Sequence, residues 1–487
     1  MSAHQLKLVR IGIAVLACVA VAWAFASTAF AAPFLYVSNQ GSDNITPFSV
    51  AADGTLTAQP QVPAGESPLG SAATPDGRFL YVALNGPPDQ VAGFAIAPDG
   101  TLSPVPGSPF STGLNPTAVA VGEQGKVLYV ANFGADTVST FSIDQTNGTL
   151  SAVGSPVATQ DGPSAVALSP NGQFLFVPNF GSQSISVFSV GGGGALTPVA
   201  GSPFNQGGAF PAAAQGDAVV SPSGTHLYTS RQMGNLINVF DIAPSGAITP
   251  VAGSPFPALS PVSLAFDSEG ATLYSASKGS NLVQTFAVDP NGAIVAGPAA
   301  PAGSAPGGLT VGLDGKTLFA SNSSGNNVSA YTISGGALAA VAGSPFATGG
   351  SAPSARHNAF VDTDDEAAFE LAGKTKQKVK LKGKKTKVKV KITITANEGL
   401  TTVSSGTLKG KGLKNAKLKS VTSDLSTAQT LKLTLKGKGK KTGKKVAKLL
   451  GKKKKVTANV KVDGTDPLGN KQSRTLKVTL KGKGKKK

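Results

Sequence analysis

This sequence predicts an all-β fold: a seven-bladed β-propeller closed by pairing of its N- and C-terminal strands, then a small Lys-rich antiparallel β-sandwich-like domain. Three observations carry the prediction. A unit of four short apolar runs repeats along residues 33–362. An aromatic in the second run falls at Tyr36, Tyr81, Tyr129, Phe176, Tyr228, Tyr274 and Phe319, at intervals of 45, 48, 47, 52, 46 and 45 residues. A marker in the third run, Phe48, Phe94, Phe141, Phe188, Phe240, Phe286 and Tyr331, keeps nearly in step with it. Seven four-stranded units at this period are the mark of a propeller.

The unit is clearest in residues 163–204. Its apolar runs, 166–168, 174–177, 185–190 and 195–199, are each bounded by Gly, Pro, Asn or Ser. Runs this short are strands, and Asn171-Gly172 is a strong hairpin-turn signal. First strands mostly follow a P-x-x-[VL]-A pattern, as in Pro116-Thr117-Ala118-Val119-Ala120. Small residues suit an axis on which seven blades converge. In turns such as Pro75-Asp76-Gly77, Pro presets φ, Asp bonds its own backbone and Gly takes a positive φ. They lack the carboxylate ladder of a calcium loop. Gly-Ser-Pro-Phe recurs at 107–110, 201–204, 253–256 and 343–346. It is expected to end the outer strand and to wedge its Phe between blades. No helix follows the glycines at 191–194, so they form no phosphate cradle.

The ends are arranged for closure. The domain begins at a second strand, Phe34-Leu35-Tyr36-Val37, and an orphan first strand at 353–361 follows the seventh unit. Pairing the two completes one blade and leaves no open edge. Ahead of the propeller, Lys7 and Arg10 precede an apolar run at 11–25 and an Ala29-Phe30-Ala31 cleavage site. Residues 1–32 read as an export signal, shorter than a membrane span. Cys18 and Trp23, the one cysteine and one tryptophan, leave with it. The mature chain then has no disulfide, thiolate nucleophile or cysteine-held metal. A monomer without cofactor or transmembrane span is expected.

With Leu128-Tyr129-Val130-Ala131-Asn132 and its Gly-Ser-Pro-Phe element, the repeat resembles the lactonase-type seven-bladed propellers. That family is also described through YVTN repeats and includes 6-phosphogluconolactonases. The resemblance covers about residues 33–362 and implies the propeller fold, with lactone hydrolysis as the associated activity. Hydrolytic members typically carry a His-Pro-His run before one first strand, where this chain has Gly162-Pro163-Ser164. Pro-Arg-His in the next blade and a later Glu correspond to Gln215-Gly216-Asp217 and Gln232. The groups expected to bind substrate and move protons are therefore replaced.

Four residues are candidates to stand in for them. Arg356 and His357 sit together on the channel-lining closing strand. Asp217 and Arg231 belong to the irregular unit, whose 52-residue interval holds an insertion at 205–215. Loops before first strands and after second strands share one face, so Asp217 and Arg231 are expected at one channel mouth, where they can pair. Arg231 stands where other blades have Asn39, Asn132, Asn179 and Asn322. Arg231, Asn132, Asn179 and Asn322 are candidate ligand contacts, although the asparagines can equally bond the turns they begin. His226, on the opposite face, is expected to be structural or merely exposed.

Past the acidic run at 362–366 and a linker at 363–373, the composition changes abruptly. Residues 374–487 hold 36 basic and 4 acidic side chains, a formal +32, against −15 for residues 33–373. The runs at 378–382, 387–394, 431–436, 456–462 and 475–481 largely alternate Lys with apolar residues, which puts lysine on one face of each strand. A turn is expected at 466–470, and residues 440–455 and 481–487 are expected to be mobile. Such a module attracts polyanions. With no aromatic residue and one arginine, Arg474, it lacks the base-stacking groups of a nucleic-acid binder. Anionic cell-wall polymer is the expected partner. The chain reads as a secreted or envelope-held binding propeller, taking a small molecule or a protein at its channel mouth. The alternative is a lactone hydrolase using Arg356, His357, Asp217 or Arg231.

Overall fold

The computed structural model describes residues 33–122, 125–206, 216–313 and 315–361, and the backbone of eight strands between 369 and 483. The expected export segment at 1–32, most of the 205–215 insertion, and the segments expected at 440–455 and 466–470 lie outside the described residues. Seven sheets of four or five strands follow one another along 34–361. They are the seven blades, numbered here in chain order. Blade 1 is completed by the closing strand Ala359–Val361, antiparallel to Phe34–Asn39 with Phe34 opposite Val361 and Tyr36 opposite Ala359. The remaining blades are up-and-down sheets running from axis to rim.

The outer strand differs from expectation. Gly-Ser-Pro-Phe interrupts it instead of ending it. In blade 2, Leu102–Pro104 and Phe110–Ser111 both pair with the third strand, Gln90–Ile96. Between them the Ser108 hydroxyl takes the Gly93 amide at 2.9 Å. Ser202, Ser254 and Ser344 do the same for Val187, Val239 and Ala330. The serine thus replaces a ladder partner lost where the strand bulges. Each Phe of the motif is half-buried against a cluster shared by two blades, as a wedge should be.

The core lies between blades. Seven apolar clusters each span two neighbouring sheets. The repeating aromatics are their centres, with Tyr36, Tyr81, Tyr129, Phe176, Tyr228, Tyr274 and Phe319 at 0–1% exposure. Burying a ring of that size contributes roughly 2–3 kcal/mol. Three tyrosine hydroxyls also reach a turn glycine of the next blade: Tyr36 to Gly100 O, Tyr81 to Gly148 O and Tyr228 to Gly292 O, at 2.7–3.0 Å. A second latch recurs on the other face. A carboxylate or amide oxygen in one blade accepts the amide just before the next blade's first strand, as Asp43 does from Ser67 and Asn326 from Ala352. The asparagines ending the second strands are fully buried and donate to their own third strand. Asn132 bonds Thr137 and Ser139, Asn179 bonds Ser184 and Ser186, and Asn322 bonds Asn327 and Ser329.

Beyond residue 368, Phe369–Ala372, inside the expected linker, is already a strand and pairs with Lys389–Ala396. The pairings among these strands are antiparallel, with one exception. Lys376–Lys380 runs parallel to Lys471–Lys483. Some 90 residues of chain separate these two strands, ample for the crossover that a parallel pair requires.

Ending the chain after Ala352 removes the closing strand and leaves Phe34–Asn39 as an open edge. Thermal unfolding should begin earlier, with concentration-dependent association. Unchanged melting by calorimetry would show that this strand does not hold the ring.

Candidate functional site

The first strands converge so closely that the chain must thin out. Between the Asn39–Pro353 bridge and the Tyr36–Ala359 pair the closing strand spends six residues, whereas blade 3 spends four between Asn132–Pro116 and Tyr129–Ala120. The two extra residues bulge inward and carry Arg356 and His357 to the axis. Glycine makes room for them. A Cβ on Gly308 would overlap the Arg356 carbonyl oxygen, and one on Gly307 would overlap Ala355.

Three of the four candidate residues meet there. His357 Nε2 lies 2.8 Å from Asp217 Oδ2, reaching from the closing strand of blade 1 to blade 5. His357 Nδ1 faces the Leu309 carbonyl of blade 7 at 2.8 Å. Asp217, 4% exposed, also accepts from the Ser263 hydroxyl, the Leu264 amide and its neighbour's amide, Ala218, each at 2.9 Å. Arg356 is 6% exposed, and its Nη1 approaches the Gly216 carbonyl at 3.4 Å. Ser164 Oγ donates to that same carbonyl at 2.9 Å. The Ser263 hydroxyl, which sequence reasoning missed, also takes the Leu309 amide and so ties blades 5, 6 and 7 together.

Charge on this cluster follows from its bonds. Burial pushes His357 down, but the charge and hydrogen bond of Asp217 and the Leu309 carbonyl outweigh it, leaving its pKa raised. Burial pushes Asp217 up, and His357, Leu264 and Ser263 more than reverse that, leaving its pKa lowered. Burial lowers the Arg356 pKa, with the Asp217 charge opposing. Both His357 nitrogens face acceptors, an arrangement that favours the doubly protonated ring. The ion pair of Asp217 is with His357, where pairing with Arg231 was expected.

The other candidates sit elsewhere. Arg231 ends the second strand of blade 5, half-buried, with burial lowering its pKa. Asn132, Asn179 and Asn322 are internal bolts of their blades, and their amide donors are already committed, as described above. A ligand contact at any of them would have to displace those bonds. His226 is buried on the far face, its Nδ1 2.9 Å from the Thr225 hydroxyl and its Nε2 3.2 Å from Asp241. Among the described residues no three His, Asp or Glu side chains converge as metal ligands would. No helix there is long and apolar enough to cross a membrane.

Sequence and structure comparisons agree on the architecture. A family model described as "Lactonase, 7-bladed beta-propeller" matches residues 28–105, 92–207 and 193–295, together more than half of the chain. Among solved structures, a candidate 6-phosphogluconolactonase from Bacteroides uniformis superposes with a TM-score of 0.59 at 19% identity, over 68% of this chain and 99% of that one. The periplasmic gluconolactonase of Pseudomonas aeruginosa gives 0.57 at 20% identity, over 68% and 99%. A functionally unknown protein from Desulfotomaculum acetoxidans gives 0.55 at 17%, over 66% and 99%. At such identities the likeness is one of fold. No curated protein sequence matches.

Two predictions test this geometry. Replacing Gly308 by Ala should destabilise the propeller by about 3 kcal/mol or more, because the obstacle is backbone and cannot rotate away. A neutral effect in denaturant unfolding would refute the close approach. The Asp217–His357 pair should stabilise fully between about pH 4 and 6.5, where both groups are charged in the unfolded chain as well. Its contribution is lost as pH rises through the raised His357 pKa, and again as pH falls through the lowered Asp217 pKa. The melting-temperature gap between wild type and His357→Gln should therefore be flat near pH 5.5 and shrink in alkali. A gap that widens above pH 7 would contradict the pairing.

Proposed function

Because the chain belongs to the lactonase family of 7-bladed β-propellers, we propose that it keeps the family's channel mouth as a binding site and has given up hydrolysis. It acts as an exported protein that takes a small molecule or a protein partner at that mouth. One observation carries the reading. Both nitrogens of His357 lie against acceptors at 2.8 Å, Asp217 and the Leu309 carbonyl. Opening a lactone needs a base with a free lone pair to activate water, and donors placed for the developing oxyanion. An imidazolium held from both sides supplies no such lone pair. The oxygens of Asp217 are likewise occupied by three further donors.

A second reading, lactone hydrolysis, is favoured by the convergence of Arg356, His357 and Asp217 on the axis. Purified mature protein, assayed on sugar lactones, separates the two. No turnover above the spontaneous rate is expected. Turnover that disappears in both Arg356→Ala and His357→Ala would establish the hydrolase instead.

Localisation follows from the two flanking regions. The export signal at 1–32 takes the chain out of the cytoplasm, a reading supported by one structural relative being named periplasmic. The lysine-rich region at 374–487 then holds the monomer at the envelope by pairing with anionic cell-wall polymer. Exposed charges attract over roughly 10 Å at 0.1 M salt and over much less at 1 M. Full-length protein should therefore stay on purified anionic wall polymer in low salt and elute in high salt. Equal retention of a chain ending at Gly373 would remove the basis for this anchoring.

A further inference from the structure

The described surface offers few alternatives to the axis. A cavity of about 300 Å³ near Arg78, Phe79 and Pro98 is open and shallow, and its guanidinium is already bonded to the Gln145 and Thr146 carbonyls. Leu114, Met233 and Leu259 are exposed on loops at the mouth face, with nothing beside them to specify a partner. The axial arginine is different, because its environment is incomplete in a chemically definite way.

We propose that the axial cluster is a receptor for one small carboxylate, held by the guanidinium of Arg356. The inference deepens the binding reading above and rests on it. Arg356 is 94% buried, yet its Nη2 has no hydrogen-bond partner and its Nη1 makes a single long contact with the Gly216 carbonyl. A guanidinium carries five N–H donors and keeps its charge in proteins. Burying it with a donor unused is costly. An orphan of this kind in a native fold points to a missing water or ion. The nearby carboxylate does not fill the gap, since the two oxygens of Asp217 already serve Ala218, Ser263, Leu264 and His357.

Charge selects the ligand. The His357 imidazolium cancels Asp217 and leaves the positive charge of Arg356 uncompensated. A carboxylate brings one negative charge, which makes the site neutral, and its two oxygens match the planar fork of an arginine. A phosphate dianion would leave a net negative charge in a poorly solvated place. His357, with 42% of its side chain exposed, marks the side from which solvent reaches the cluster.

Isothermal titration of the full mature chain at fixed ionic strength tests the proposal. The probes are acetate, inorganic phosphate and neutral glucono-lactone. The proteins are wild type, Arg356→Lys and Arg78→Lys. Lysine keeps the charge but not the fork, and Arg78 stands as the arginine outside the site. Acetate should bind wild type and Arg78→Lys saturably at one site and Arg356→Lys about tenfold or more weakly, with phosphate weaker than acetate on wild type. The lysines of 374–487 contribute alike to all three proteins, so equal acetate binding by all would mean an adventitious ion only and would overturn the proposal. Phosphate preferred over acetate would overturn it too. Should Arg356→Lys fail to fold, the wild-type series still decides, because no saturable acetate site means no receptor. Lactone bound without acetate would sink the carboxylate and spare the channel-mouth reading, whereas no probe bound would sink both.

Discussion

Seven strands cannot meet at one axis unless side chains there are small and backbone groups find partners across blades. That crowding governs this molecule. The inner rim answers it with a nearly closed circuit of hydrogen bonds. His357 O takes the Ser71 amide and the Asn85 side chain bonds Pro116 O. Thr117 reaches Pro163 O and Ser164 reaches Gly216 O. Asp217 holds Ser263, Ser263 holds the Leu309 amide, and Leu309 O returns to His357. Each link joins a blade to its neighbour, and the Asp217–His357 pair crosses the ring as a spoke.

Stability elsewhere is modular. Each apolar cluster belongs to one blade interface, and the tyrosine and Asx latches repeat with the blades. Such a ring needs every interface, because opening one exposes two faces that were built to be covered. The closing strand matters for this reason more than its three ladder pairs suggest. It also supplies the bulge that brings charge to the axis, so closure and the candidate site depend on the same nine residues, 353–361.

Chemistry at the axis is constrained by the same bonds that secure the ring. A histidine used as a structural spoke, with a carboxylate on one nitrogen and a carbonyl on the other, is favoured in its protonated form and offers no free lone pair while it holds both contacts. A buried guanidinium beside it retains an unused donor. An unused cation beside an occupied histidine is the basis of the receptor role proposed for this site.

The repeat, the blade number and the closure were legible in the sequence, since they depend on local periodicity and on markers such as Tyr129 and Phe141 that recur with each blade. The lysine-rich alternation was legible for the same reason. The site was legible only in part. Arg356, His357 and Asp217 stood out as departures from the repeat, but 140 residues separate Asp217 from His357, and a repeat says nothing about contacts across the ring. Two signals were present and informative in hindsight: the six-residue step from Pro353 to Ala359, and Pro306-Gly307-Gly308, where glycine admits a neighbouring backbone. The sequence by itself determined which residues form strands and how many blades they build, because those follow from neighbours along the chain. Only the tertiary structure decided that Asp217 pairs with His357, because partners across an axis are chosen by geometry that no local pattern encodes.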